Sequence, residues 1–390
     1  MLKETILNDS GDDKMSVLFE NYGKRRAQIV KGQGTIVEDS TGKQYLDFTS
    51  GIAVVSLGHA HPAVVQALQE QSEKLWHISN LFEIPGQEKV AEKLIANTHF
   101  SHAFFCNSGA EANEAAIKLA RKHTGKHHII TFEKSFHGRT FGAMSATGQG
   151  KVHNGFGPLV EKFSILPFND AATLEATVDD SVAAIMLEMI QGEGGVNSVS
   201  AEFAAAIAKV CEEQGILLIV DEVQTGIGRT GTRYAFEQTV LKPHIITLAK
   251  GLGGGFPVGA MLGTAELHAT FSPGTHGTTF GGNPLAMNVA QAVLNHVFEP
   301  DFLQHVREIS AYFVAQLRSH LPSSYTVQGQ GLLLGIGCGD TEIAPYIAAA
   351  EESGLLLVGA GPTVIRLLPP LTVTKEEIDK AVTILKNILP

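Results

Sequence analysis

Cysteine is scarce in this chain: Cys106, Cys211 and Cys338 are few, odd in number and widely spaced. That excludes a disulfide framework or a thiolate metal knot, and it suits a reducing, cytoplasmic setting. Long apolar runs are also missing. None approaches the ~20 residues that cross a bilayer. The acidic opening MLKETILNDSGDDKMSVLFE has no apolar core of a secretory signal. Positive charge is in deficit, with 29 Lys and Arg against 40 Asp and Glu and a net charge of −11. Such a balance argues against nucleic-acid and anionic-membrane partners. Any anion site must be built locally from chosen arginines and backbone N–H groups. Familiar ligand spacings are absent too. The histidines never form an HExxH-type pattern, so no metal is expected, and His59 and His61 read as turn and packing residues. Gly251–Gly255 follows a lysine and lacks the dinucleotide spacing, while Gly150-Lys151 precedes Val152 rather than the Ser or Thr of a P-loop.

What is present is the composition of a large globular protein, 44% hydrophobic and 18% charged over 390 residues, enough for a sizeable core and two domains. Residues 27–48 predict a β-meander around a DSTGK turn. From about 60 to 265, apolar runs alternate with helical stretches. Strands are predicted at His102–Cys106, His128–Phe132, Phe163–Leu166, Ala183–Glu188, Ile216–Asp221, Ile245–Ala249 and Val258–Leu262, with helices at Ala110–His123 and Ala201–Gln214. Continuous apolar strands between helices mean a mostly parallel sheet covered on both faces, an α/β architecture. After Asn283 the texture changes to long helices (Pro284–Phe298, Asp301–Leu321), strands near 331–337 and 355–368, and a closing helix at 374–388. The expected division is an N-terminal segment 1–52 that joins the small domain, a large domain 53–283, and a C-terminal α+β domain 284–390. Residues 1–14 read as a disordered extension ahead of Met15.

Two segments carry the sharpest chemical signal. LIVDEVQTGIGRTG at 218–231 delivers Asp221 from an apolar run, and TLAKGLGGGFPVGA at 247–260 delivers Lys250 into a glycine turn. Strand carboxyl ends are where α/β enzymes place chemistry. Between Ala249 and Gly251, a lysine has few neighbours to solvate it and can lose its proton and attack a carbonyl. A carbonyl-bonding lysine with an acid for a pyridinium nitrogen points to pyridoxal phosphate. Asn107-Ser108-Gly109-Ala110 opens a helix after a strand and either holds a phosphate or is a Ser-capped turn. In Ser135–Thr140, Phe136 can cover a flat ring and Arg139 can grip a carboxylate; the bland reading is a core Phe beside a surface Arg. Glu188 and Glu193 are site carboxylates or solvated loop residues. Thr279 is a phosphate donor or part of a capped turn. Arg366, inside VIRLLPPL, needs an anionic partner because an unpaired buried charge is costly; it is a structural ion pair or a substrate clamp. Each signal is weak alone, yet most fall at the carboxyl ends of one sheet.

In LDFTSGIAVVSLGHAHP, CNSGAEANEAAIKLAR, SFHGRTFGAMSATGQ, MIQGEGGV, IVDEVQTGIGRTG, LAKGLGGGFPVGA and TFGGNPLA, the chain resembles the class III (subgroup II) aminotransferases. These are pyridoxal-phosphate enzymes of the aspartate-aminotransferase-like fold, and the likeness runs from about Gly23 to the C-terminus. It implies a large domain with a mostly parallel seven-stranded sheet and a smaller α+β domain. It implies Lys250 as the Schiff-base lysine and proton carrier, Asp221 as partner of the pyridinium nitrogen, Gln224 on the ring hydroxyl and Phe136 on the ring face. Ser108, Gly109 and Ala110 would hold the phosphate, joined by Thr279 of a neighbouring subunit, so that a homodimer shares its active sites. Arg139 and Arg366 would bind substrate carboxylates, with Glu193 as the movable partner of Arg366 and Thr278 beside them. The implied reaction passes the δ-amino group of N2-acetyl-L-ornithine to 2-oxoglutarate, a step of arginine biosynthesis. Ile52 stands near where members acting on free ornithine carry a tyrosine, which suits an acylated α-amino group. Ornithine, succinylornithine or 4-aminobutyrate as donor, or aminomutase chemistry on the same fold, are the alternatives.

Overall fold

Seven strands form the central sheet of the computed structural model, which describes residues 17–22 and 26–389. The expected extension 1–14 lies outside the described residues. Ahead of the sheet, β1 (Ile29–Gln33), β2 (Ile36–Asp39) and β3 (Gln44–Asp47) form the expected antiparallel meander. The sheet itself holds β4 (His102–Cys106), β5 (His128–Phe132), β6 (Phe163–Leu166), β7 (Val182–Glu188), β10 (Leu217–Asp221), β11 (Ile245–Leu248) and β12 (Gly259–Gly263), in the order β4-β12-β11-β10-β7-β5-β6. Between β7 and β10 lies a small hairpin, β8 (Ile190–Gln191) and β9 (Asn197–Ser198).

β7, β10, β11 and β12 are buried along their whole lengths. Helices cover both faces, so no position along these strands can face water, and the apolar runs are continuous rather than alternating. One strand departs from the parallel set: β12 runs antiparallel to both β11 and β4. Helix Gly109–Thr124 starts where Ser108 accepts a bond from Glu111 N at 3.2 Å and stops at Gly125, whose φ of 69° only a glycine adopts cheaply. It carries Ala112, Ala115, Ala116 and Leu119 against the sheet.

Helix Pro284–Val297, capped by Asn283, packs on helices Pro62–Ser72 and Pro85–Ile95. Helix Pro300–His320 packs on the closing helix Lys375–Ile388. β13 (Thr326–Gln330), β14 (Leu333–Gly337), β16 (Val358–Gly359) and β17 (Val364–Leu367) form a second antiparallel sheet in the order β13-β14-β17-β16. The stretch 355–368, expected as one strand region, is three short pieces. β15 (Leu355–Leu356) leaves this sheet and pairs in parallel with β3, Leu355 opposite Leu46. The turn AGPT at 360–363 then reverses the chain between β16 and β17. No helix among the described residues is long and apolar enough to cross a membrane.

Candidate active site

The carboxyl ends of β4, β5, β7, β10 and β11 open onto one cavity of about 430 Å³. Ser108, Gly109, Ala110, Phe136, Arg139, Asp221, Gln224 and Lys250 line it, together with Val54, Asn113, His137 and Glu188. Residues spread over more than a hundred positions meet because parallel strands all end on the same side.

Asp221 is the last residue of β10 and almost sealed from water. Its Oδ2 accepts from Asn113 Nδ2 and from the His137 imidazole at Nδ1, both at 2.8 Å, and its Oδ1 accepts from Val223 N at 3.0 Å. Asn113 is itself fixed: it donates to His137 O at 2.7 Å and accepts from Thr247 Oγ1 at 2.7 Å. Burial pushes the His137 pKa down, but the bond to Asp221 and its charge, helped by Glu188, outweigh that and raise it. His137 Nε2 is buried and has no protein partner. Glu188 ends β7 and accepts from Phe136 N at 3.0 Å; burial pushes its carboxyl up to about 7 against the pull of His137. The solvated-loop reading of Glu188 is therefore wrong, because a residue at the end of a central strand is covered on both sides.

Lys250 follows β11 with a left-handed φ of 40°, a costly conformation for a residue with a Cβ. Enclosure lowers its ammonium pKa to about 8, although Glu193, Asp221 and Glu188 pull the other way. It is thus poised to exchange a proton near neutrality. Phe136 is half-buried, and the exposed Arg139 guanidinium lies 5.5 Å from its ring centre. Arg366, on β17, is buried. One guanidinium nitrogen donates to Gly192 O at 2.8 Å, Glu193 Oε1 at 2.7 Å and Gln224 Oε1 at 3.1 Å, and its Nε has no partner. Glu193, on the β8–β9 turn, keeps about a third of its side chain exposed. The pair borders the cavity through Gln224.

Ser108 caps its helix, and it also lines the cavity. The first N–H groups of any helix lack intrahelical partners and attract anions. Close approach is built in: a Cβ on Gly109 would meet Val223 at 2.8 Å, and one on Gly138 would meet Ala110 Cβ at 2.9 Å. Thr278 stands apart from this lining and accepts from Asn107 Nδ2 at 3.2 Å. Thr279 is also outside it. A planar pyridine with a phosphate fits this set: an anion cradle at one end, an aromatic face, an acid locked at the far end, and a lysine with a depressed pKa. Among the described residues, no three His, Cys, Asp or Glu side chains gather as a metal site.

Sequence reasoning missed His137 and Asn113. His137 sits between two residues that were singled out, Phe136 and Arg139. Asn113 is the polar exception on an alanine-rich buried helix face, the signal by which it can be found. His59, read as a turn residue, is in fact bonded through Nε2 to the Asp47 carboxylate at 2.8 Å.

Comparison with known proteins agrees with this geometry. The family model for "Aminotransferase class-III" matches residues 19–389. A Halalkalibacterium halodurans protein named acetylornithine aminotransferase is 58% identical over 378 residues, covering 96% of this chain and 98% of that one. A Bacillus subtilis protein of the same name is 54% identical over the same shares. The solved N-acetylornithine aminotransferase of Stenotrophomonas maltophilia superposes with a TM-score of 0.81 at 38% identity, covering 95% of this chain and 97% of that one. Ornithine aminotransferase of Toxoplasma gondii superposes with a TM-score of 0.91 at 32% identity, covering 95% and 92%.

Proposed function

The chain belongs to the class-III aminotransferases, enzymes that use pyridoxal 5'-phosphate, and from that premise we propose the following roles for its residues and its substrates. The donor is N2-acetyl-L-ornithine and the acceptor 2-oxoglutarate, giving N-acetyl-L-glutamate 5-semialdehyde and L-glutamate, a step of arginine biosynthesis. The observation that carries this reading is the Arg366–Glu193 pair, in which a buried cation shares its bond with a partly exposed carboxylate. Relatives named acetylornithine aminotransferase, 50–58% identical across the chain, support the choice of donor.

When bound, pyridoxal phosphate supplies the carbonyl that receives the amino group and the electron sink that acidifies the substrate carbon. Lys250 Nζ takes the proton from that carbon and would deliver it to the former carbonyl carbon of the cofactor, so that the amino group stays behind when the carbonyl product leaves. Asp221, held by His137 and Asn113, keeps a proton on the pyridine nitrogen. Gln224 bonds the ring hydroxyl, Phe136 covers the ring, and Ser108, Gly109 and Ala110 hold the phosphate. Arg139, open to solvent, binds the distal carboxylate of either substrate, beside Thr278 from the rim. Arg366 binds the α-carboxylate of 2-oxoglutarate once Glu193 swings away; with the donor, whose reacting end has no carboxylate, Glu193 stays on Arg366 and neutralises it. That exchange lets one site accept both an ω-amine and an α-keto acid. An aminomutase has no use for it.

The reading includes a homodimer with shared sites. Thr279 lies outside its own cavity, and the exposed Trp76, Leu81, Phe82 and Phe280 offer apolar surface to a second copy. It also includes a cytoplasmic location, and the division into 1–52, 53–283 and 284–390, for which the pairing of β15 with β3 is support. The test is a half-reaction screen that follows the cofactor's visible absorbance with N-acetylornithine, ornithine, succinylornithine, 4-aminobutyrate and lysine. N-acetylornithine is expected to react fastest; a wide lead for ornithine or 4-aminobutyrate overturns the donor assignment.

A further inference from the structure

Four consecutive residues, Ser50, Gly51, Ile52 and Ala53, have φ of 48°, 64°, 67° and 61°. This is a left-handed helical turn, and three of its residues carry a Cβ. L-residues are disfavoured in that conformation, and strain of this kind persists only where the surroundings over-determine it. Here they do. Asp47 is buried, and its Oδ1 accepts from Thr49 N at 2.9 Å, Thr49 Oγ1 at 2.6 Å and Ser50 N at 3.0 Å. His59 closes the other oxygen at 2.8 Å. Its own backbone exchanges two bonds with Gly34, and a Cβ on Gly32 would meet its ring at 2.8 Å, so the imidazole has little freedom.

The turn is tied in two directions. Towards Arg366, Ser50 Oγ donates to Leu368 O, and Leu368 N donates to Phe48 O at 2.8 Å. Towards Lys250, Ser56 Oγ donates to Gly251 O at 3.3 Å, and Leu371 N donates to Ser56 O at 2.8 Å. Val54, the residue after the turn, lines the cavity, and Ile52 stands partly exposed. Burial pushes the Asp47 carboxyl up, but the bonds from His59 and Thr49 outweigh it and hold it low.

We propose that Asp47 and His59 are positioning residues: by holding the left-handed turn Ser50–Ala53 they set the separation between Arg366 and Lys250, and hence where an α-keto acid bound by its α-carboxylate presents its carbonyl to the reacting centre. The inference rests on the transaminase reading above. A turn that can relax leaves Lys250 and the cofactor cradle intact but misplaces the carboxylate grip, so the loss falls on the keto acid.

The experiment uses cofactor-loaded wild type, Asp47→Ala, Asp47→Asn and His59→Ala. Wild-type turnover with N-acetylornithine and 2-oxoglutarate is measured first; its absence sinks the functional reading itself. Given turnover, Asp47→Ala should raise the KM for 2-oxoglutarate about tenfold, the scale of one lost charged hydrogen bond. It should weaken binding of glutarate, an unreactive dicarboxylate, by a similar factor in calorimetry. Pyridoxal phosphate affinity should change less than twofold. Asp47→Asn keeps an acceptor for Thr49 and Ser50 and should recover most of the loss, with His59→Ala in between. An unchanged 2-oxoglutarate KM and glutarate affinity in folded, loaded Asp47→Ala and His59→Ala overturns the inference and leaves the functional reading standing. So does a loss confined to cofactor affinity or to kcat, which is what a merely structural role produces.

Discussion

His137 Nδ1 and Asp221 Oδ2 lie 2.8 Å apart with both side chains sealed from solvent. The acid that faces the cofactor in this reading is thus oriented by a residue from a different strand end. Replacing His137 with Phe removes that bond and leaves a buried carboxylate short of a donor. A lost charged hydrogen bond costs about 1.5–3 kcal/mol. Pyridoxal phosphate affinity should fall by roughly ten- to a hundredfold at that energy, read by equilibrium dialysis. His137→Gln, which can still donate, should lose less.

Lys250→Ala should abolish turnover while the protein still folds, since the Lys250 side chain lines the cavity rather than the hydrophobic core and only its amine moves the proton. Steady-state transamination checks it. Activity within tenfold of wild type would remove Lys250 from the chemistry.

In the apoprotein the Lys250 ammonium titrates at about 8, lowered by its enclosure. Only the neutral amine attacks a carbonyl. Uptake of pyridoxal phosphate should therefore accelerate as pH rises, by about tenfold per unit below 8, and level off above it. A midpoint near that of free lysine would mean that the side chain is solvated in solution.

Glu193→Ala leaves Arg366 as an uncompensated cation in the donor half-reaction. Truncating one partner of a buried charged pair costs about 2–5 kcal/mol. The rate with N-acetylornithine should fall by at least tenfold, while 2-oxoglutarate, which supplies its own carboxylate to Arg366, should be little affected. Single-turnover spectra of the two half-reactions separate the effects.

Thr279 is expected to complete the partner's site. Lys250→Ala and Thr279→Asp homodimers should both be inactive, the second because Asp repels the phosphate. Mixing the unfolded chains and refolding them should restore roughly a quarter of wild-type activity, because half the dimers are mixed and each holds one intact site. No recovery would place Thr279 in its own subunit's site, and an active Thr279→Asp homodimer would place it outside both.

Much of this was legible in one dimension. β7, β10 and β11 announced themselves as unbroken apolar runs, and Asp221 and Lys250 as the polar residues that ended two of them. Ser108 marked the start of its helix because capping is a local effect. The strand region expected at 355–368 divides into three pieces for a non-local reason. Leu355–Leu356 pairs with Leu46 and Asp47, some three hundred residues earlier, and no local pattern reports that. Glu188 was placed at the end of its strand by the apolar run, but only the strands on either side, which bury it, decide against the solvated-loop alternative.

By itself, the sequence determined the class of fold, the residue types at the strand ends and the family likeness they compose. These depend on local propensity and on the period of apolar residues. Only the tertiary structure decided that His137 and Asn113 converge on Asp221, that Arg366 shares its charge with Glu193, and that Ser50–Ala53 winds left-handed under Asp47 and His59. Those relationships are matters of angle and distance between segments far apart in the chain. Packing sets them, because burying a charge or a strained backbone is tolerated only where the fold brings it a partner.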